Sequence, residues 1–133
     1  MAFQIILFSL FLPYLLWPIE RILPYPHIIE EAAKAGVILY LLNQDLKKRD
    51  KITLSLLIGV AFGLTEGIFY IGNILMVGNL NTFALRLIIT IPFHALTSFV
   101  ILFPAFYKKY LIVAGLIAAV FLHYFFNLIV AAL

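Results

Sequence analysis

The chain has 133 residues, of which 65% are hydrophobic and 11% charged, and its mean hydropathy is +1.15. A soluble domain of this length cannot bury so much apolar surface, so the composition excludes a soluble globular protein and predicts one compact membrane-embedded bundle. The chain has no cysteine, which excludes disulfides, a thiol nucleophile and a cysteine-ligated metal. It also lacks the basic face of a soluble nucleic-acid-binding domain, so we expect no nucleic-acid partner.

Five hydrophobic segments follow one another along the chain, at about 3–19, 26–44, 52–76, 82–106 and 110–133. Each is near the roughly 17–25 residues that a helix needs to cross a hydrocarbon core of about 30 Å. We therefore predict an all-α fold, a polytopic transmembrane helical bundle of about five spans in a single integral membrane domain, 1–133. A permanent first span at 1–20, loosened by Pro13, precedes a four-helix core at 26–130.

Basic residues mark two of the loops between these spans. Residues 47–51 contain three lysines and an arginine, and Lys108 and Lys109 lie between spans four and five. Cytoplasmic loops carry an excess of Lys and Arg, so both loops are predicted to be cytoplasmic. The N-terminus is then cytoplasmic and the C-terminus external, and the loops at 18–25 and 77–81 lie outside.

Span two carries the most unusual ionisable residues. Glu30 and Glu31 stand side by side near its outer end, and Lys34 is one turn further on. Ionisable groups are costly in lipid and tend to mark function. We expect Glu30 to pair with Lys34, four residues away, which leaves Glu31 in a different environment. The alternative is that both carboxylates simply reach water near the helix N-terminus, as we expect for the interfacial His27.

Span three places a carboxylate beside a smooth helix face. Gly59, Gly63 and Gly67 are spaced by four and predict close helix packing. Glu66 lies next to this stripe, and we expect it to serve a site or to pair with Arg86 as a structural acid.

Spans four and five each add a histidine at similar depth. His94 follows Pro92, where we expect the helix to kink or open, and it shares a face with Ser98. His123 shares a face with Asn127, one turn away. Two histidines and several carboxylates thus converge in the outer half of the bilayer, as a water-filled site requires.

Two mechanisms fit this set of residues. In the first, a glutamate of span two and a histidine remove a proton from water, which attacks a peptide carbonyl, while Asn127 and the other histidine stabilise the oxyanion. In the second, Glu66, His94 and His123 bind zinc and leave one position open for water. The chain lacks a paired HExxH spacing, so we expect no metal cofactor and keep zinc as the alternative. Ser98 lacks a nucleophile-elbow sequence, which disfavours a serine mechanism.

The same residues form an ordered series along the chain. The series is Glu30-Glu31-x-x-Lys34, Phe62-x-x-x-Glu66, His94-x-x-x-Ser98 and His123-x-x-x-Asn127. It resembles the PrsW family of intramembrane proteases, which is related to the type II CAAX prenyl proteases (the Abi group) and to the APH-1 subunit of gamma-secretase. The resemblance covers residues 26–130, with four motifs on four separate spans.

This resemblance implies a glutamate-dependent membrane protease. By analogy with the CAAX branch, Glu30 with His94 would activate water, and His123 with Asn127 would polarise the scissile carbonyl. The other two residues of the first motif would support the first glutamate. Members of the PrsW group cut membrane-anchored anti-sigma factors from outside. We therefore expect membrane-anchored protein or peptide substrates cut near the outer leaflet, and a location in the plasma membrane of a prokaryote.

The chain departs from its relatives in two respects. Glu66 stands where the CAAX branch has a histidine, which disfavours CAAX cleavage. The chain is also shorter than typical PrsW proteins, so we expect either a minimal core or assembly with a second copy or a partner subunit. A second hypothesis is therefore a non-catalytic scaffold or assembly subunit of the APH-1 type. A third is a small proton- or ion-coupled transporter, which the missing inverted repeat disfavours.

Overall fold

The computed structural model describes residues 1–77 and 80–131, and within these ranges the side chains of all residues except 70, 72–77 and 82. The regular elements in these ranges are α1 (Ala2–Glu20), α2 (Pro26–Leu42), α3 (Lys48–Val77), α4 (Leu80–Ala105), a 3-10 turn (Lys109–Leu111) and α5 (Ile112–Ala131). The predicted all-α bundle is confirmed. Of the predicted loop at 77–81, residues 78 and 79 lie outside the described residues.

Prolines begin one helix and lie within two others. Pro26 is the first residue of α2, where its missing N–H costs no intrahelical bond. The first helix continues through Pro13 and Pro18 to its last residue, Glu20. Helix α4 likewise runs through Pro92 without a break in its helical assignment. Of the predicted kink or opening, the opening is therefore wrong. Proline removes a single backbone bond, and close packing against α3 supports the helix on both sides of this point.

Within the described part of the chain, four of the five helices are long and apolar enough to cross a membrane, namely Ala2–Glu20, Lys48–Phe69, Phe83–Ala105 and Lys109–Ala131. The remaining helix, α2, has 17 residues and carries three acidic or basic side chains besides His27, namely Glu30, Glu31 and Lys34. Two of these, Glu31 and Lys34, are completely buried inside the bundle. The chain is therefore an integral membrane protein in which these two charged side chains of α2 are enclosed by the bundle.

The hydrophobic core occupies one half of the bundle. Its members come from the start of α1, the end of α2, the first half of α3, the end of α4 and the first half of α5, and they include Ile38, Leu41, Ile58, Ile101 and Leu102. In a bundle of alternating helices, all of these segments lie toward the same end. Because the two basic loops also lie there, we call it the basic end and call the opposite end the cavity end.

Side-chain contacts connect the two basic loops, which lie between α2 and α3 and between α4 and α5. The ammonium group of Lys48 lies 4.8 Å from the ring centroid of Phe106. Lys51 donates a hydrogen bond to the carbonyl oxygen of Leu42 at 2.9 Å, and Lys109 donates one to the side chain of Asn43. Both loops thus lie at one end of the bundle, as alternating spans predict. The side of the membrane that this end faces stays a prediction.

Helices α3 and α4 approach each other closely along the predicted glycine stripe. A Cβ atom at Gly59 would lie 2.5 Å from the Cα of Ala95, and one at Gly63 would lie 2.8 Å from the Cα of Ile91. No side chain fits at such distances, so glycine is required at both positions. This close contact sets the position of the α4 backbone at His94, next to Ala95.

Candidate functional site

A cavity of about 690 Å³ lies at the cavity end of the bundle. Its wall includes residues from all five helices. The polar side chains in this wall are Glu20, His27, Glu30, Glu66, Arg86, Thr90, His94, His123 and Asn127. The cavity thus has the concave shape and convergent polar groups that are typical of an active site.

Four of these residues form a compact cluster, which we call the catalytic cluster after the role that we propose for it: Glu30, Glu66, His94 and His123. Each contributes one nitrogen or oxygen atom, and these atoms all lie within 4.8 Å of one another. The residues come from α2, α3, α4 and α5, so the cluster exists only when the four helices pack together. The two histidines are buried, whereas the Glu30 and Glu66 side chains remain 16% and 20% exposed.

The buried ion pair of α2 differs from the expected one. The Lys34 ammonium lies 2.7 Å from Oε1 of Glu31, and both side chains are 0% exposed. The expected pairing of Lys34 with Glu30 is therefore wrong. Residues three and four apart are both neighbours on a helix surface. Glu31 points into the protein, where a buried cation needs it, and Glu30 lines the cavity instead.

Lys34 also determines how His94 is oriented. Its ammonium lies 2.7 Å from Nδ1 of His94 and 3.0 Å from the hydroxyl of Thr97, and it lies 5.3 Å from the ring centroid of Phe62. An ammonium group has only donors, so Nδ1 of His94 accepts and the ring proton resides on Nε2. This Nε2–H donates a hydrogen bond to Glu66 at the edge of the cavity.

His123 has the opposite arrangement. Its Nδ1 lies 2.7 Å from Oε1 of Glu31, so the Nδ1–H donates to that carboxylate. Its Nε2 faces Glu30, whose Oε2 is 3.7 Å away. That Glu30 oxygen is buried and has no hydrogen-bond partner among the described atoms. A buried carboxylate oxygen without a partner is costly, so a water molecule or a substrate group in the cavity would satisfy it.

The structure separates the other predicted residues into two groups. Asn127 and Arg86 line the cavity. His27, expected to be only interfacial, also lines it, and its ring centroid lies 6.1 Å from that of His123. Ser98 lies beyond His94 toward the basic end, where it is buried and its backbone carbonyl accepts a 2.9 Å hydrogen bond from Ser55.

Helix α1 contributes residues that the sequence analysis missed. Pro13, Trp17 and Glu20 all line the cavity, although Glu20 was expected in an outer loop. Their spacing of four and then three residues places them on one helix face. That spacing is the signal that could have identified them, together with an acidic residue at the end of an otherwise uncharged span.

The donor atoms of the catalytic cluster fit a zinc ion in part. Glu30, Glu66 and Nε2 of His123 offer two carboxylates and an imidazole, a donor type that zinc enzymes use. Glu31 orients His123 through Nδ1, as outer carboxylates do for metal-ligating histidines. His94 does not fit, because Lys34 places its proton on Nε2, the atom that faces the cluster.

Comparison with known proteins gives one match. A family model described as PrsW family intramembrane metalloprotease matches residues 26–133. The matched region includes the whole catalytic cluster and begins after α1. Searches of curated proteins and of solved structures find no match.

Proposed function

The chain belongs to the PrsW family of intramembrane metalloproteases, and on this premise we propose that it is a membrane-embedded endopeptidase in which glutamate activates water. The observation that carries the proposal is the catalytic cluster, whose four donor atoms lie within 4.8 Å of one another around the cavity. A water molecule among them would be within hydrogen-bonding reach of several groups at once.

Glu30 is the proposed general base. Glu30 lines the cavity, and its Oε2 has no hydrogen-bond partner among the described atoms, so this oxygen is available to take a proton from water. Glu66, which is oriented by the hydrogen bond it accepts from His94, holds that water in position. The water oxygen then attacks the carbonyl carbon of the peptide bond. Glu30 returns the proton to the amide nitrogen as the carbon–nitrogen bond breaks.

His123 and Asn127 are the proposed oxyanion donors. They lie one turn apart on α5 and both line the cavity. Glu31 accepts from Nδ1–H of His123, so a second proton on Nε2 would give a cation held between Glu31 and Glu30. Such a donor, pre-oriented in a site that is largely shielded from water, stabilises the negative charge that develops on the carbonyl oxygen.

Zinc-dependent hydrolysis is the second candidate, and the family description and the donor set favour it. Glu30, Glu66 and His123 would hold the ion, with His94 left as a hydrogen-bond donor through Nε2. Zinc in such a site supplies Lewis-acid polarisation of a carbonyl and of a bound water. The two candidates differ in the state of His123, because a metal ligand needs the lone pair on Nε2 whereas an oxyanion donor needs a proton there.

We further propose that the substrates are membrane-anchored proteins or peptides cut near the outer leaflet, in the plasma membrane of a prokaryote. The positive-inside rule supports cleavage near the outer leaflet, because it predicts that the basic end is cytoplasmic and the cavity end external. Assembly with a second copy or with a partner subunit remains a prediction.

The test is cleavage of a panel of single-span peptides in proteoliposomes by the wild type, by Glu30→Gln and by Asp50→Asn. Asp50 is an exposed acid at the basic end and serves as the matched control. General acid–base groups contribute roughly 10²–10⁴-fold, so Glu30→Gln should slow cleavage by that factor while the control cuts normally. Cleavage by a folded Glu30→Gln variant at the wild-type rate would refute the assignment.

A zinc-chelating agent provides a second arm of the same experiment. Activity that survives chelation supports the metal-free mechanism, and activity that is lost and then restored by zinc supports the second candidate. If the wild type cuts nothing in a varied panel, the hypothesis of a non-catalytic assembly subunit gains weight.

A further inference from the structure

The wall that α1 adds to the cavity has no role in the chemistry proposed above. It consists of Pro13, Trp17 and Glu20, and it lies before residue 26, where the family match begins. This wall is therefore a feature of this chain beyond the matched core. A wall of the active-site cavity that does not carry the chemistry is in a position to contact the substrate beside the scissile bond.

Glu20 is the residue of this wall that has an unsatisfied polar atom. Its Oε1 is buried and has no hydrogen-bond partner among the described atoms. Trp17, one turn earlier, already has the guanidinium of Arg21 over its ring, 4.8 Å from the centroid. Arg21 thus packs on the aromatic ring, and its contact there leaves the buried Glu20 oxygen to another donor. A group that enters the cavity from the substrate would supply it.

The charge of the cavity specifies the kind of donor. Among the described residues of the wall, three glutamates (Glu20, Glu30 and Glu66) face one arginine, Arg86. This excess of negative charge favours a cationic ligand and disfavours an anionic one. A lysine or arginine side chain also forms hydrogen bonds with a carboxylate that are stronger than those of neutral donors.

We propose that α1 forms a specificity subsite in which Glu20 binds a lysine or arginine side chain of the substrate next to the scissile bond. This inference rests on the proposed protease function and names the substrate class, namely membrane-anchored segments with a basic residue at the mouth of the cavity. Such a residue would set which bond of the substrate reaches the catalytic cluster.

The experiment starts from a peptide that the wild type cuts and replaces residues on either side of the mapped scissile bond, one at a time, with Lys, Gln or Glu. The measured quantity is the ratio of kcat/KM for the Lys and Gln peptides. Hydrogen bonds to charged groups predict a ratio of roughly 10–100 at one position for the wild type. Glu20→Gln should reduce that ratio to about 1, and Asp50→Asn should leave it unchanged. Glu20→Lys should reverse the preference toward the Glu peptide.

A Lys preference that persists in Glu20→Gln, or a wild type that shows no charge preference at any position, would overturn the subsite. Binding of fluorescent Lys and Gln peptides to the Glu30→Gln variant, with and without Glu20→Gln, gives a readout that needs no cleavage. Tighter binding of the Lys peptide that is lost with Glu20→Gln supports the subsite, even if the wild type cuts nothing. A wild type that cuts nothing would count against the proposed protease function but not against the subsite. Equal binding of both peptides would overturn the subsite.

Discussion

Replacement of Lys34 by methionine should lower the free energy of unfolding by about 3–5 kcal/mol, the usual cost of removing one partner from a buried ion pair. Lys34 is completely buried and contacts Glu31 and His94 at 2.7 Å each and Thr97 at 3.0 Å. Methionine is of similar length but provides no donor, so Glu31 is left as a buried carboxylate with one partner fewer. At about 1.5–3 kcal/mol for each bond to a charged group, three lost bonds would sum to about 4.5–9 kcal/mol, most of which lies above this range. Glu31 keeps its 2.7 Å contact with His123, which holds the net loss within it.

The assay is equilibrium unfolding in detergent, followed by the fluorescence of Trp17, the single tryptophan of the chain. Lys47→Met is the matched control because Lys47 is exposed in a loop at the basic end, and a surface charge contributes about 0–1 kcal/mol. The double variant Glu31→Gln with Lys34→Met should regain part of the loss, since both charges are then removed together. If Lys34→Met and Lys47→Met unfold within 1 kcal/mol of each other, the argument for a buried, energetically coupled network is refuted.

Two further predictions concern the packing of the helices. Gly59→Ala should destabilise the protein and slow cleavage, because its Cβ would collide with the backbone at His94. Gly36→Ala should be neutral or stabilising by up to about 1 kcal/mol, since nothing lies within 4 Å of its Cβ. Equal unfolding midpoints of the two variants would contradict this prediction. Thr65→Val should cost about 1 kcal/mol more than Thr53→Val in the same assay, because the Thr65 hydroxyl donates a 2.8 Å hydrogen bond to a backbone carbonyl of α1, whereas exposed Thr53 bonds only within its own helix. Equal losses for the two threonine variants would show that this interhelical bond contributes nothing measurable.

The helices, and the convergence of the charged residues at one depth, could be predicted from sequence because both depend only on the positions of residues along the chain. Apolar runs bounded by prolines and basic loops give the spans, and counting residues from a loop gives the depth of each charge. Glu66 and His94, on different helices, were therefore expected at similar depth, and the structure joins them by a hydrogen bond.

The partners of individual side chains could not be predicted in this way. Lys34 can reach a neighbour three or four residues away, and which one it meets depends on how α2 is rotated within the bundle. The same rotation decides that Glu30 lines the cavity while Glu31 is enclosed. The contribution of α1 was missed for a related reason, because hydrophobicity alone does not show which face of an apolar helix meets a cavity and which meets lipid.

The division of the bundle into two unlike halves has a mechanical consequence. At the basic end, the packed core and the contacts between the loops would have to be broken before the helices could separate. At the cavity end, a void of about 690 Å³ already lies between the helices. We therefore expect the basic end to be the more rigid of the two. Under the proposed protease function, small movements of the helices at the cavity end would admit a peptide segment, while the packed core at the basic end keeps Glu30 aligned with His123.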